Sequence, residues 1–367
     1  IGIIGAITNG VTSGGTTRGI AGLAGGNDSY DLGVDVTMIK TNLESDELAA
    51  AIDKARLNGS DILSCSWGVR KGTVIDIVRE AIEDAYSSGI VCVFSAGNWE
   101  EASDVGWPAR MAETIAVGAT KSNDFRANYN DWGLAWDYID NEWYQQGSSH
   151  GSNLDMMAPG HQIYTLDRWG TNGYSSTEYF SSFGGTSAAA PHAAATAGLL
   201  LSVNPNLTHT QIREILLQTA DKANPGTYSY TGSGPRGYGG WNNEMGYGRL
   251  NAYKAVLAAQ TGTASISTAV TWYAASTPIY GNLTVPAGVT VTLADGASLA
   301  FYSGKSLTVN GTLVFQGNNA LSFNNGGSLV LNSANTLGSG KTLTITGGDL
   351  TVGSSGSFTI EAGAALT

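Results

Sequence analysis

The stretch FGGTSAAAPHAAATAGLLL, residues 183–201, places two glycines and a Thr-Ser pair before a run of small, helix-forming residues. This order predicts a helix whose positive N-terminal end lies beside the hydroxyl of Ser187, with glycines that let another backbone come close. Ser187 as an ordinary N-cap is the alternative. Pro191 lies within the first turns, where proline costs a helix stability, and this favours a fixed functional geometry. Ser187 is therefore the first candidate nucleophile.

On both sides of this stretch, helical and strand patterns alternate. Amphipathic helix patterns occur at residues 46–59, 74–89, 209–221 and 251–259. Short apolar strand patterns occur at residues 61–68, 90–98 and 113–120. Strands connected through helices by short loops predict a parallel β-sheet flanked by helices, which places residues 1–260 in the α/β class.

Beyond residue 260 the composition changes, and residues 281–367 contain no His, Cys or Trp. Short alternating runs are separated by Gly or Asn turns, and equivalent leucines recur at Leu283, Leu307, Leu329 and Leu350. This period predicts an all-β, β-solenoid-like region with three short strands per coil. A β-sandwich is the alternative. Residues 261–280 are assigned to a linker.

The composition excludes several classes of function. The chain has 367 residues and a net charge of −12, so it offers no general attraction to nucleic acid. It contains no basic run for an anionic membrane surface and no apolar run long enough to span a bilayer. Its many Gly, Ser, Thr and Asn residues favour a secreted, extracellular or cell-surface protein. Cys65 and Cys92 lie in apolar strand patterns and are interpreted as buried free thiols rather than a disulfide.

Six motifs in this sequence resemble those of the subtilisin-like serine proteases, the subtilases, and they occur in the order found in that family. They span residues 1–260 and are GIIGAITNG at 2–10, SWG at 66–68, SAGN at 95–98, MAPG at 157–160, GTSAAAP at 185–191 and GYGRLNAYKAV at 246–256. The resemblance implies a serine endopeptidase that acts on protein or peptide substrates through an acyl-enzyme on Ser187.

The resemblance also implies roles for other residues. Asn98 would donate its side-chain amide to the oxyanion, whereas by itself an Asn at a strand end is more often a turn former. The substrate would lie between two walls, formed by Ser66, Trp67, Gly68, Ser95, Ala96 and Gly97. Ordinary packing is the alternative for Trp67. Gly106 would leave the base of the primary pocket unfilled for a large apolar side chain, with Trp99, Glu100 and Glu101 reshaping its rim toward basic groups.

A serine nucleophile needs a base and an orienting carboxylate. None of the four histidines lies in an H-G-T-like context. His192 is interpreted as a packing residue, His209 as the cap of a late helix, and His150 and His161 as loop or surface residues. The resemblance places the catalytic histidine shortly before Ile1 and the catalytic aspartate further upstream. We therefore expect a fragment, cut at both ends, that is inactive by itself.

Two other interpretations remain at this stage. The chain could be a non-catalytic secreted surface or adhesion protein, whose C-terminal repeats contact a cell surface or matrix. A carbohydrate-active β-helix enzyme would need clustered carboxylates, but Asp295, Asp349 and Glu361 are isolated. No metal site is assigned. Calcium is possible, with candidate oxygens at Asn9, Asp131, Asp137 and Asp140.

Overall fold

The computed structural model describes residues 2–5, 23–24, 33–70, 74–100, 104–137, 142–168, 170–273 and 276–367. The helices are α1 (Gly2–Gly5), α2 (Ser45–Leu57), α3 (Asp76–Ser87), α4 (Tyr129–Trp132), α5 (Thr186–Val203), α6 (His209–Gln218) and α7 (Ala252–Ala259). The strands of the first part are β1 (Ile62–Cys65), β2 (Val91–Ser95), β3 (Thr114–Thr120), β4 (Leu134–Asp137), β5 (Glu142–Gln145), β6 (Met156–Pro159), β7 (Ile163–Leu166) and β8 (Tyr179–Phe183).

The later strands are short. They are β9 (Thr263–Ser265), β10 (Val270–Trp272), β11 (Thr277–Ile279), β12 (Asn282–Val285), β13 (Thr290–Leu293), β14 (Ser298–Phe301), β15 (Leu307–Val309), β16 (Thr312–Phe315), β17 (Asn318–Phe323), β18 (Ser328–Leu331), β19 (Ala334–Leu337), β20 (Thr342–Thr346), β21 (Asp349–Val352), β22 (Ser357–Ile360) and β23 (Ala365–Leu366).

The first part of the chain is built on a parallel sheet of order β1-β2-β3-β6. Strands β2 and β3 are buried along their whole length, as expected for a sheet covered on both faces. Because side chains alternate along a strand, Val91 and Val93 pack with α5 on one face. Cys92 and Phe94 pack with α2 and α3 on the other. The predicted α/β class is confirmed for this region.

The predicted helices also form close to their expected bounds. Helix α6 begins at a capping box, in which the Thr208 hydroxyl accepts a hydrogen bond from Gln211 N at 3.3 Å and Gln211 Oε1 accepts one from Thr208 N at 2.9 Å. Helix α5 contains Pro191, and most of its small side chains are buried. These small residues let α5 lie close against the sheet, and this brings its N-terminus to the carboxyl ends of the strands.

The C-terminal region consists of parallel strands, each paired with a strand about one repeat further along the chain. One sheet has the order β9-β12-β15-β18-β21 and another the order β11-β14-β17-β20-β23. Leu307 lies opposite Leu283 and Leu329, and Leu350 lies opposite Leu329. The spacing of the leucines in the sequence therefore matches the register in which the strands pair. Parallel pairing does not fit the β-sandwich alternative, whose sheets are antiparallel.

The predicted linker at residues 261–280 is wrong, because this segment contains β9, β10 and β11. These strands pair with β12, β13 and β14. Each has three residues and lacks the recurring Leu pattern, so the repeat is not visible there in the sequence. The two regions share one hydrophobic cluster, which includes Leu257 of α7 and Ile279 of β11.

Two further expectations concern the cysteines and the membrane. Cys65 and Cys92 are free and buried, as predicted, and burial raises the pKa of each thiol to about 12. Within the described residues, the structure contains no helix that is both long and apolar enough to cross a membrane.

Candidate active site

Ser187 lies in the first turn of α5 and is partly exposed. The N-cap position belongs to Gly185, whose φ of 95° is in the region that favours glycine. Ser187 is therefore not the N-cap that the alternative interpretation would require. Its Oγ donates a hydrogen bond to Ser66 O at 3.3 Å. A partly exposed hydroxyl at the positive end of a helix, with no capping role, is available for chemistry.

Asn98 follows the end of β2 and faces the start of α5. Its Oδ1 accepts hydrogen bonds from Thr186 N at 2.8 Å and from Thr186 Oγ1 at 2.9 Å. The Thr186 hydroxyl in turn accepts one from Gly97 N at 3.1 Å. Because Oδ1 is taken by these donors, the orientation of the amide is fixed and its NH₂ group lies on the side of Gly185. A Cβ atom at Gly185 would lie 3.0 Å from Asn98 Nδ2.

Thr186 is a functional residue that the sequence analysis missed. Only its place beside Ser187 in the GTS motif could have indicated it. Its backbone N–H and hydroxyl together hold the Asn98 amide, so this residue fixes the position of Asn98 relative to the start of α5, where Ser187 lies.

The first predicted wall, Ser66 to Gly68, lies beside Ser187. Ser66 Oγ donates to Ser187 O at 2.9 Å, which ties this segment to the start of α5. The Trp67 ring packs edge-on against Phe94 at 5.3 Å, so the packing role proposed for it is present. Gly68 is exposed, and no backbone hydrogen bond within the described residues uses its N–H or C=O.

The second predicted wall follows β2 and is held by backbone bonds. Ser95 is buried at the end of the strand. Ala96 O accepts from Gly106 N at 2.8 Å, and Gly97 O accepts from Ser149 N at 2.9 Å. Gly106 thus lies next to Ala96, and its neighbour Trp107 exchanges backbone hydrogen bonds with Val69. The segment containing Gly106 therefore connects the two walls.

The expected unfilled pocket base at Gly106 is wrong, because the Trp99 indole occupies that position. A Cβ atom at Gly106 would lie 2.8 Å from Cζ3 of Trp99, and one at Gly97 would also collide with this ring. The expectation that Glu100 favours basic groups of the substrate at the pocket rim is not supported either. Its carboxylate pairs with Arg126 at 2.8 Å and accepts from Tyr129 N at 2.9 Å. Glu101 lies outside the described residues.

All four histidines lie in the described part of the chain, and none of them hydrogen-bonds Ser187. His192 Nδ1 lies 2.8 Å from Ala188 O on its own helix, in agreement with a packing role. His161 Nδ1 accepts from Trp132 Nε1 at 3.0 Å, and His209 packs edge-on against Tyr86. Each is engaged away from the nucleophile.

His150 lies in a loop, as one of the two predicted positions required, but this loop is buried and not on the surface, since the residue is 5% exposed. Burial lowers the pKa of His150, and the positive charge of Arg126 lowers it further. Burial likewise lowers the pKa of His192. Neutral, buried imidazoles fit structural roles.

The calcium donors suggested by the sequence do not form a site among the described residues. Asp131 caps the first turn of α4 and pairs with Lys121 at 3.1 Å, so its oxygens are already engaged. No group of three or more His, Cys, Asp or Glu residues in the described ranges is placed to hold a metal ion. Asn9, Asp140 and the side chain of Asp137 lie outside the described part.

The candidate site thus consists of a serine at a helix N-terminus that faces a fixed amide after the end of a parallel strand. A family model described as "Subtilase family" matches residues 2–248 of this chain. The chain therefore belongs to the subtilase family, as the motifs predicted.

Several characterised relatives are similar over part of their length. The Calcium-dependent protease of Trichormus variabilis is 36% identical over 261 residues, which are 62% of this chain and 37% of the relative. Subtilisin DY of Bacillus licheniformis is 35% identical over 190 residues, 51% of this chain and 58% of the relative. A solved structure of proteases from Pseudoalteromonas arctica covers 71% of this chain and 69% of its own, with 24% identity and a TM-score of 0.49. The chain thus spans less than two thirds of the length of the two curated relatives, the Calcium-dependent protease and Subtilisin DY.

Proposed function

We propose that this chain carries the nucleophile and the oxyanion hole of a secreted serine endopeptidase, with Ser187 as nucleophile. The observation that carries this proposal is the Asn98 amide, which Thr186 holds in a fixed orientation at the N-terminus of the helix that begins beside Ser187. A rigid donor in such a position stabilises charge without having to reorganise during the reaction.

In the proposed reaction, Ser187 Oγ attacks the carbonyl carbon of a peptide bond and transfers its proton to a base. The carbonyl oxygen becomes an oxyanion, which accepts hydrogen bonds from Asn98 Nδ2 and from the backbone N–H of Ser187. The C–N bond then breaks, the base returns the proton to the leaving amine, and an acyl-enzyme remains. Water, deprotonated by the same base, hydrolyses the ester and regenerates the serine.

The base and its orienting carboxylate are proposed to come from sequence outside this chain, because three of the four histidines are engaged elsewhere and the fourth, His150, is buried and does not hydrogen-bond Ser187. This chain by itself is expected to show only the residual catalysis that an oxyanion hole and substrate binding provide. Full proteolysis by the 367-residue chain would contradict this part of the proposal.

The substrate is proposed to be an extended peptide that adds as a strand beside Ser66, Trp67 and Gly68. The exposed backbone of Gly68 offers an N–H and a C=O for such pairing. The opposite wall, Ser95 to Gly97, has backbone groups that are already hydrogen-bonded to Gly106, Thr186 and Ser149. This wall would therefore contact the peptide through van der Waals packing.

Calcium enters the proposal only through the relative named Calcium-dependent protease. The carboxylates in the described residues do not fit a calcium site, and no step is assigned to the ion. Thermal unfolding of the chain in EDTA and in added calcium tests for a site elsewhere. Equal Tm values in both conditions would remove calcium from the proposal.

The C-terminal strands are proposed to wind as a β-solenoid that contacts a cell surface or matrix after secretion. The side chains of Asn310 and Asn332 hydrogen-bond across successive repeats at 3.0 Å. Cysteines introduced at these two positions should therefore crosslink within one chain, and failure to crosslink would contradict the winding. Retention on cell envelopes in a sedimentation assay tests the surface contact, and fractionation of the producing culture tests secretion.

Fluorophosphonate labelling tests the catalytic proposal. The reagent is applied to this chain and to the same chain extended upstream to include the expected histidine and aspartate segments. Labelling at Ser187 in the extended chain supports the peptidase. If neither folded protein is labelled, the chain is better explained as a non-catalytic surface or adhesion protein on a protease-like scaffold.

A further inference from the structure

The indole of Trp99 lies where the two walls of the cleft meet. A Cβ atom placed on Gly106 would be 3.2 Å from O of Val69, the residue after the first wall, 3.4 Å from Ala96 O on the second wall and 2.8 Å from Trp99 Cζ3. The edge of the ring thus approaches the segment of Gly106, which connects the two walls. A Cβ atom on Gly97 would meet the same ring.

We propose that Trp99 closes the base of the pocket beside Ser187 and restricts it to a small side chain, such as that of Gly, Ala or Ser. The restricted substrate residue is the one whose carbonyl Ser187 attacks. This inference rests on the proposed function, because it concerns the substrate specificity of the same site. It replaces the large apolar side chain that Gly106 by itself suggests.

The backbone on both sides of Trp99 is held in place. Trp99 N donates to Ser149 Oγ at 3.1 Å, and the same hydroxyl donates to Trp99 O at 2.9 Å. Ser149 is buried, and its N–H is bonded to Gly97 O. After Trp99, Glu100 N donates to Gln145 O at 3.0 Å. These bonds fix the point from which the indole enters the cleft.

The physical consequence follows from close packing. A large substrate side chain could enter only by displacing the indole, and this would expose the ring and strain the backbone that carries it. A small side chain fits without such a shift. Even one methylene group in a specificity pocket changes discrimination about 10-fold or more, so excluding a benzyl group should have at least this effect.

The first test measures kcat/KM of the upstream-extended chain on two peptides that differ only in Ala or Phe before the scissile bond. The wild-type protein should prefer Ala by about 10-fold or more. Trp99→Ala should reverse the preference, and Trp99→Phe should leave an intermediate ratio. Trp143→Ala is the matched control, since it removes an indole that is 64% exposed on β5, and it should keep the wild-type ratio.

The second test does not depend on turnover. Binding of the two uncleaved peptides to Ser187→Ala chains, with Trp99 intact or replaced by Ala, is measured by calorimetry. The Ala peptide should bind more tightly only when Trp99 is intact. Equal preferences in both backgrounds, or binding of neither peptide, would overturn the inference.

A third measurement checks the position of the ring in the chain itself. Gly106→Ala should lower the Tm of the wild-type chain and lower it less in the Trp99→Ala background, because the added methyl group then has room. Additive effects on the Tm would overturn the inference. If Ser187 is not labelled by a fluorophosphonate while the peptide preference and this coupling are found, the proposed peptidase fails and the pocket assignment stands.

Discussion

The α/β region and the C-terminal strands are stabilised by contacts of very different kinds. In the α/β region, the hydrogen bond from Ser66 to Ser187 joins residues 121 positions apart, and the one from Thr186 to Asn98 joins residues 88 apart. In the C-terminal region, the bonds from Leu313 N to Asn335, from Ser328 N to Ser306 and from Asn332 to Asn310 each join residues 22 apart.

This difference has a consequence for both stability and function. A repeated contact has equivalents in the next coil, so the loss of one leaves its neighbours in place. A contact in the α/β region has no equivalent, so the loss of one partner leaves a buried group or a catalytic group without support. Chemistry that needs several groups in one geometry is accordingly located in the α/β region.

The largest effect is expected for Ser187→Ala in the upstream-extended chain. Removing the nucleophile should lower kcat by a factor on the order of 10⁶, a magnitude known from subtilisin. Ser202→Ala is the matched control, because Ser202 is an exposed serine on the same helix and bonds only to Leu199 O within the described residues. Equal activity in both variants would remove Ser187 from the reaction.

Arg236→Met should cost about 3–5 kcal/mol in the free energy of unfolding, because it leaves the buried carboxylate of Asp155 without its charged partner and, among the described residues, with only the hydrogen bond from Ala116 N. The Arg236 guanidinium donates to both oxygens of Asp155, which is 0% exposed. Arg79→Met is the control, since Arg79 and Glu83 form a pair on a helix surface worth about 0–1 kcal/mol. Urea unfolding of both variants makes the comparison, and equal losses would contradict it.

Asn98→Ala should lower kcat of the extended chain by about 10²–10³ with little change in KM, because the lost donor acts on the transition state. This range is also known from subtilisin. Asn153→Ala removes another partly buried side-chain amide, which donates to Asp104. It should leave kcat within a few-fold of wild type. An unchanged kcat in Asn98→Ala would assign Asn98 to turn formation.

Along one stack of leucines, the cost of truncation should fall toward the last coil. Leu307→Ala removes a fully buried side chain with paired strands on both sides and should cost about 3 kcal/mol. Leu350→Ala removes a side chain that is only partly buried and should cost less. Denaturant unfolding measures both, and a larger loss at Leu350 would contradict the stacked register.

Stability is also expected to depend on pH through Lys222. Burial, together with the charge of Lys254, lowers the pKa of Lys222 from 10.5 to about 7. Between these values Lys222 binds more protons in the unfolded chain than in the folded chain, so this residue contributes a rise in the free energy of unfolding with pH from about 7 to 10.5. Lys222→Met should reduce the slope over this range. Lys40→Met, at an exposed lysine, should leave the pH dependence of the free energy of unfolding unchanged. An unchanged slope in both the Lys222 and the Lys40 variants would contradict the role assigned to Lys222.

Much of the fold could be predicted because its signals are local. The apolar run at 90–98 and the helix at 209–221 differ from their observed bounds by only a few residues. The leucine period predicted the register of the C-terminal strands residue by residue. The first coil was missed, because its strands are too short and too varied for the repeat to be visible.

The candidate site was predictable only in its motif residues. Ser187 and Asn98 could be proposed from the order of the motifs, and the structure brings them to the same helix end. The open pocket at Gly106 was wrong, and the burial of the loop that carries His150 was not predicted, for the same reason. In each case a side chain from another position, the indole of Trp99 or the core around His150, determines the environment.

The sequence by itself determined the α/β class and the repeat of short strands and identified Ser187 as the candidate nucleophile, because each depends on periodicity or on residues adjacent in the chain. Only the tertiary structure decided that Thr186 fixes the amide of Asn98 and that Trp99 fills the space over Gly97 and Gly106. Such contacts depend on how close two separate segments come, and close packing makes differences of an ångström decisive.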